Sequence, residues 1–215
     1  MKKVVGFLLF AASGFAVSAQ NTSLGPTVGV NGWTDANNNV KVGLNIGATF
    51  TYSVSTHWAF GADAKYSMEG GGEAISYQTA YAKEDYIRVP LKAIYFFGKH
   101  GSDFRPKLYA GPSFGFLVGG TVTGTYNSNV YTSDAKNYIK SFDAGFLVGT
   151  GFNYRIARGT WLNVDLGYTE GFASATKNTV SSTSYTTLPA FHNKNLALNV
   201  GVAFPLTTIK SNKKK

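Results

Sequence analysis

Apolar residues alternate with small or polar ones throughout this chain, in one stretch after another. Successive side chains of a strand point to opposite faces, so such alternation makes strands with one greasy side. In 42–52, Val42, Leu44, Ile46, Ala48, Phe50 and Tyr52 share one face, and Gly43, Asn45, Gly47, Thr49 and Thr51 the other. In 58–68, Trp58, Phe60, Ala62, Ala64, Tyr66 and Met68 oppose Ala59, Gly61, Asp63, Lys65 and Ser67. In 87–97, Ile87, Val89, Leu91, Ala93, Tyr95 and Phe97 oppose Arg88, Pro90, Lys92, Ile94 and Phe96, the last two leaving that end ambiguous. The pattern recurs in 108–118, 142–155, 162–168 and 195–204, with a weaker first stretch around Val28 and Val30. Eight strands result. Most run to about ten residues, the length a tilted strand needs to cross a bilayer. Pro90 and Pro112 each remove a ladder donor and mark local bulges or lapses.

The connections also alternate. Those near 53–57, 98–106 and 157–160 are short; those near 32–41, 70–85, 119–140 and 170–193 are long and rich in Ser, Thr, Asn, Gly and Tyr. Short turns at one end and long loops at the other fit an up-and-down barrel with both termini at the short-turn end. Volume decides which face points out. The lumen of eight strands is narrow, and the Phe, Tyr, Leu and Trp of the apolar faces would overfill it. The Gly, Asn, Thr and Ser face fits inside, so the apolar face meets lipid. A closed barrel satisfies every backbone N–H and C=O in hydrocarbon. The fold expected is all-β, an eight-stranded antiparallel up-and-down transmembrane barrel. Trp58 and Trp161 follow short turns and are expected in one membrane-interface girdle, with Tyr66, Tyr86, Tyr138 and Tyr168 in the other.

The N-terminus supplies the export route. Lys2 and Lys3 precede an apolar stretch from Val4 to Val17, and Val17-Ser18-Ala19 fits the small-x-small cleavage rule. Residues 1–19 are therefore expected to be a signal peptide, 20–207 the barrel and 208–215 a lysine-rich tail. The formal charge of +9 includes Lys2, Lys3, Lys210, Lys213, Lys214 and Lys215; without them it is +3. No nucleic-acid partner is expected from so balanced a body. With no cysteine there are no disulfides, thiol chemistry or lipid anchor on a Cys.

YIRVPLKAIYFFG (86–98), RPKLYAGPSFGFLVGG (105–120) and WAFGADAKYSMEGGG (58–72) resemble the PorT-type outer-membrane β-barrel domain, over roughly 24–204. Members are often labelled porin family. The resemblance implies residence in the outer membrane of a Gram-negative bacterium, with both mature termini periplasmic. One namesake acts in protein secretion, but no motif here carries that role. The tail TTIKSNKKK departs from barrels that end on their terminal aromatic.

Chemistry is sparse. Of three histidines, His57 and His100 fall in short turns and His192 near the outer end of the last strand, without a local His-x-Ser spacing. Catalytic residues, a metal site and cofactors are accordingly not expected. GGGE (70–73) lacks the Lys and Ser/Thr of a phosphate loop. The inward charges are more informative: Lys65, Arg88, Lys92, Lys107 and Arg155 oppose Asp63, Asp143 and Asp165. Confined charges need partners, so an internal ion-pair network that plugs the lumen is expected, with Asp63 opposite Lys92. The function expected is a non-enzymatic barrel that stabilises the membrane or presents its loops to an extracellular protein or glycan, with outer-membrane lipid as its surroundings. The alternatives are a narrow passive channel and a lipid-modifying enzyme using His192. Oligomeric state has no signature in the sequence.

Overall fold

The computed structural model describes residues 22–34, 40–75, 78–99, 101–126, 129–177 and 191–206. The expected signal peptide, the lysine tail and His100 lie outside the described residues. Nine strands follow in order: β1 (Thr22–Thr34), β2 (Val40–Ser53), β3 (Trp58–Ile75), β4 (Gln78–Phe96), β5 (Phe104–Tyr126), β6 (Asn129–Asp134), β7 (Phe142–Ala157), β8 (Thr160–Ser174) and β9 (His192–Pro205). Eight of them close a barrel in the order β4-β3-β2-β1-β9-β8-β7-β5, sealed by β4 against β5. Every pairing is antiparallel, including β1 with β9, where Val28 faces Val200. The sixth strand, β6, hangs on the outer part of β5 (Thr121↔Asp134 to Tyr126↔Asn129). No described helix is long and apolar enough to cross a membrane; the crossing is made by strands.

Facing follows the alternation. Leu44, Ile46, Phe60, Leu108, Phe146, Val148, Leu198 and Val200 are all exposed, while Asn31, Asn45, Asp63, Lys92 and Asn199 are buried. Ile94 and Phe96 resolve their ambiguous end by pointing inward, where they pack with Ala59, Tyr109 and Leu147. Tyr109 lies across the lumen over two glycines. A Cβ on Gly149 would come 2.3 Å from its ring, so no larger residue fits there without moving it. The prolines sit where a ladder lapses. Between β3 and β4 the pairing skips from Ala62↔Leu91 to Lys65↔Arg88, across Pro90. Between β4 and β5 it skips from Pro90↔Ser113 to Ala93↔Ala110, across Pro112.

The largest departure from expectation concerns 70–85 and 119–140. Rather than loops, most of their described residues are strand, followed in the second by a 3-10 turn at Ala135–Asn137. The β3–β4 hairpin continues from Glu69↔Glu84 to Ile75↔Gln78, and β5 follows it to Tyr126. A bulge between Asp85 and Tyr86 leaves Val118 without an opposite number (Asp85↔Gly119, Tyr86↔Leu117). Apolar alternation ends there because both faces have left the lipid, yet the hydrogen-bond ladder continues. β3, β4, β5 and β6 thus form a lobe above the barrel. Over the far mouth, Ala82, Tyr86, Leu117, Val122, Ala135, Ile139, Ala175 and Phe191 make a buried apolar cap. Segments 138–140 and 175–177 hold it by backbone pairing, with Lys140 N donating to Ala175 O (2.8 Å) and Lys177 N to Tyr138 O (2.7 Å).

Val148 lies mid-way along the apolar run of β7, facing outward. Val148→Arg should destabilise the barrel in lipid vesicles by about 2–4 kcal/mol, measured by urea unfolding. Gly149→Thr, one residue on, should instead lose stability by colliding with Tyr109. An Arg tolerated at 148 would mean that this face does not meet lipid.

Candidate functional site

The inward face of the barrel gathers charge at two levels. In the middle, Asp63 of β3 is shared. Its Oδ1 accepts from Lys92 Nζ (2.7 Å) and Thr49 Oγ1 (2.8 Å), and its Oδ2 lies 3.5 Å from Lys65 Nζ. Across from it, Lys107 Nζ of β5 lies 2.7 Å from Asp165 Oδ1 of β8. Toward the far mouth, Arg88 of β4 bridges two carboxylates. Its Nε and Nη2 grip Glu69 of β3, the first at 3.1 Å. Its Nη1 donates to Asp143 Oδ2 of β7 at 2.5 Å. Bidentate guanidinium–carboxylate pairs fix geometry as well as charge. Asp63, Arg88, Lys92, Lys107 and Asp143 are all buried. Arg88 and Lys92 also lie over the rings of Tyr86 (4.8 Å) and Tyr109 (5.6 Å).

Seven of the eight charges singled out in the sequence are thus gathered inside; Arg155 is apart. It sits at the rim beside the chain termini, 3.2 Å from Asp103 Oδ1, with 35% of its side chain exposed. The last turn of β7 carries it past the lumen proper. Two acids escaped the sequence reading, Glu69 and Glu84, respectively 2% and 0% exposed. Strand parity would have found both. Counting inward from Asp63 and Ser67 reaches Glu69, and counting back from Arg88 reaches Glu84, but Glu69 lies one residue past the strand read as 58–68 and Glu84 in the segment read as loop. No described cation is paired with Glu84, and neither carboxyl oxygen makes a well-formed hydrogen bond, the Tyr86 hydroxyl being the neighbouring donor. Glu69, Asp143, Tyr86 and Arg88 face it.

Polar side chains complete the filling. Asn45 Nδ2 donates to Asn31 Oδ1 (2.7 Å), and Asn31 Nδ2 to Ser67 Oγ (2.7 Å) and Met68 O (2.9 Å). The β2–β3 ladder stops at Asn45↔Ser67, so Asn31 satisfies a carbonyl that β2 no longer reaches. The void left among these groups is about 40 Å³, room for roughly three waters.

The girdle aromatics separate. Trp58 faces out at the terminal end, edge-on to Tyr95 at 5.1 Å. Tyr66 and Tyr168 have the outward parity of β3 and β8, and the Tyr168 hydroxyl donates to Glu170 Oε2 at 3.1 Å. Tyr86 and Tyr138 do not join them, Tyr86 being fully buried by its inward parity and Tyr138 packing against the apolar cap. Trp161 is a correction. It pairs with buried Ala203, lines the inner wall of the terminal rim and lies under the Arg155 guanidinium at 4.8 Å. Its place after a turn suggested the girdle, but its parity, opposite to that of Leu162, turns it inward. His57 stacks on Tyr95. His192 points outward, its Nδ1 3.1 Å from Gly171 O. Among the described residues no group of three or more His, Cys, Asp or Glu is placed to hold a metal.

Residues 11–177 match the outer membrane protein beta-barrel domain. The chain belongs to that family. Its place is therefore the outer membrane of a Gram-negative bacterium. The match is to the domain at large and does not single out the PorT type. No curated protein matches the sequence. Among solved structures, E. coli Outer Membrane Protein W is similar at 16% identity, covering 88% of this chain and 99% of that one, with a TM-score of 0.49. Neisserial surface protein A is similar at 13%, covering 87% and 97%, with 0.48. Ail of Yersinia pestis is similar at 10%, covering 86% and 99%, with 0.44.

Asp63→Asn should be the most damaging change in the middle layer, because it leaves Lys65 and Lys92 confined without their shared carboxylate. Breaking a buried pair costs about 3–5 kcal/mol. Adding Lys92→Met should recover part of that loss, with a coupling of at least about 1 kcal/mol in a double-mutant cycle read by urea unfolding in vesicles. Additive losses would show that the pair does not act as one. In the far layer, Arg88→Met should cost a similar amount. Glu84→Gln should leave stability unchanged or raised, since it replaces a buried acid that no described cation is paired with by a neutral group that can still accept from Tyr86. A large loss from Glu84→Gln would show that this acid is paired in the folded protein.

Proposed function

We propose that this barrel is a sealed, non-enzymatic scaffold that holds its β3–β6 lobe clear of the membrane for contact with an extracellular protein or glycan. A leader at 1–19 takes it to the periplasm, and both mature termini stay there. The observation that carries this reading is the filled lumen, with about 40 Å³ free among paired charges and buried amides. A diffusion pore needs an aqueous bore, which takes many more strands than eight. The apolar cap closes the far mouth as well.

The lobe supports the second half of the reading. It is built as a ladder (Tyr81↔Thr123, Thr123↔Thr132) rather than as slack loops, so little ordering entropy would be lost on binding. Val130 and Tyr131 of β6 are exposed there. Short turns at the terminal rim, 54–57 and Arg158-Gly159, and long excursions at the other rim match outer-membrane barrels with periplasmic termini. The enzyme reading has less support. The His192 ring bonds to a backbone carbonyl, and the hydroxyl of Ser174, opposite it in register, bonds to Thr176.

Planar-bilayer recording tests the seal. Purified protein should give no steady single-channel conductance, whereas Asp63→Asn combined with Arg88→Met should raise the frequency of transient openings. Steady conductance from the unaltered protein would put the narrow channel in first place.

A further inference from the structure

At the terminal rim the lumen widens into a vestibule of about 440 Å³, within the range of small-molecule sites. Hydroxyls of Ser23, Thr51 and Ser53 and the amide of Asn153 line it, with Phe96 and Trp161 as its apolar surfaces. Its one charged wall residue is Arg105, paired across the ladder with Asn153.

Arg105 differs from the other inward cations. Lys65, Arg88, Lys92 and Lys107 each lie within ion-pair distance of a carboxylate. No described carboxylate pairs with Arg105. Its guanidinium lies 4.4 Å above the Phe96 ring, its Nη2 donates to Thr56 O, and its Nε has no hydrogen-bond partner. The nearby acid, Asp103, is taken by Arg155. Arg155 is in turn held over Trp161 at 4.8 Å. Stacking on an aromatic face immobilises a guanidinium but leaves its in-plane N–H donors available. Lys99 and Arg158, in the adjoining turns, add further positive charge. The vestibule therefore holds a stacked guanidinium with no carboxylate partner among the described residues, in a positive field, beside hydroxyls that can donate.

We propose that this vestibule binds an oxyanion, the carboxylate or phosphate group of a solute or polymer on the side of the chain termini. The anion completes the hydrogen bonding of Arg105, with Thr51 and Ser53 as further donors. Such a site is independent of the lobe at the opposite end and of whether the lumen conducts.

The test uses the full mature chain, 15N-labelled and refolded in detergent micelles, with refolding checked by heat-dependent gel migration. The Trp161 indole N–H, assigned by its loss in Trp161→Phe, is followed during titration with sodium phosphate and, separately, sodium acetate. Sodium chloride at equal ionic strength is the control. The proposal expects a saturable shift with at least one of the two anions, and the tighter of the two names the source chemistry. Arg105→Gln should weaken binding at least tenfold, and Lys194→Gln, at the opposite end of the barrel, should leave it unchanged. A shift that is linear and matched by chloride, or one that survives Arg105→Gln, overturns the proposal. If Arg105→Gln does not refold, Ser53→Trp fills the vestibule with Arg105 intact. It should abolish the saturable shift, and saturation that persists overturns the proposal equally.

Discussion

Backbone N–H and C=O groups in hydrocarbon have only each other. A sheet meets that demand only by having no edge at membrane depth, so β4 must find β5 and β1 must find β9. Much else follows from closure. Eight strands enclose a lumen too small for bulky apolar side chains from every strand, which sends the large residues outward and leaves glycine, asparagine and charge within. Those charges, cut off from bulk water, have to be matched within a few ångströms. Asp63, Glu69, Asp143 and Asp165 meet Lys92, Lys65, Arg88 and Lys107 on that ground. Where the ladder is allowed to lapse, at Pro90 and Pro112, it lapses between strands that are held on either side.

The barrel was legible in the sequence because lipid and lumen impose opposite chemistry on alternate residues, and a period of two survives as text. The eight barrel strands and their facing could be read from it; the Asp63–Lys92 ion pair forms, but diagonally, since Lys92 stands opposite Gly61 and not opposite Asp63 as expected. The lobe was not legible, for the same reason. Past Tyr86 both faces of β3, β4 and β5 are away from lipid, apolar alternation fades, and a ladder of Thr, Gly and Ala looks like a loop. Glu69 and Glu84 disappeared from the reading with it, although the parity of their strands, carried two to four residues further, places them inside. Trp161 failed differently. Its distance from a turn was weighed above its parity, and parity is the stronger constraint, since one step along a strand reverses the face. Arg155 has inward parity but too shallow a position, which the sequence does not encode until the register with Asp103's turn is known.

The two ends of the molecule are chemically unlike. One mouth is shut by an apolar cluster tied down by backbone bonds between 138–140 and 175–177. The other opens into a hydroxyl-lined recess carrying stacked guanidiniums. Between them the matched charges form a partition. If the lumen is sealed as proposed, an occupant of either end has no route to the other through the barrel, and each end acts separately.

Arg88 ties β3 and β4 to β7, while Lys107 ties β5 to β8. Each of these links passes over an intervening strand. A growing sheet that entered the bilayer one hairpin at a time would carry Lys107 into hydrocarbon before Asp165 had arrived, at a cost of several kcal/mol for a naked ion. The Asp63–Lys92 and Glu69–Arg88 pairs, both contained within the β3–β4 hairpin, can be neutral early. The placement of the ion pairs thus bears on assembly order: β3 and β4 can enter as a matched hairpin, whereas β5 and β8 gain by meeting at the membrane surface, where water still solvates Lys107 and Asp165.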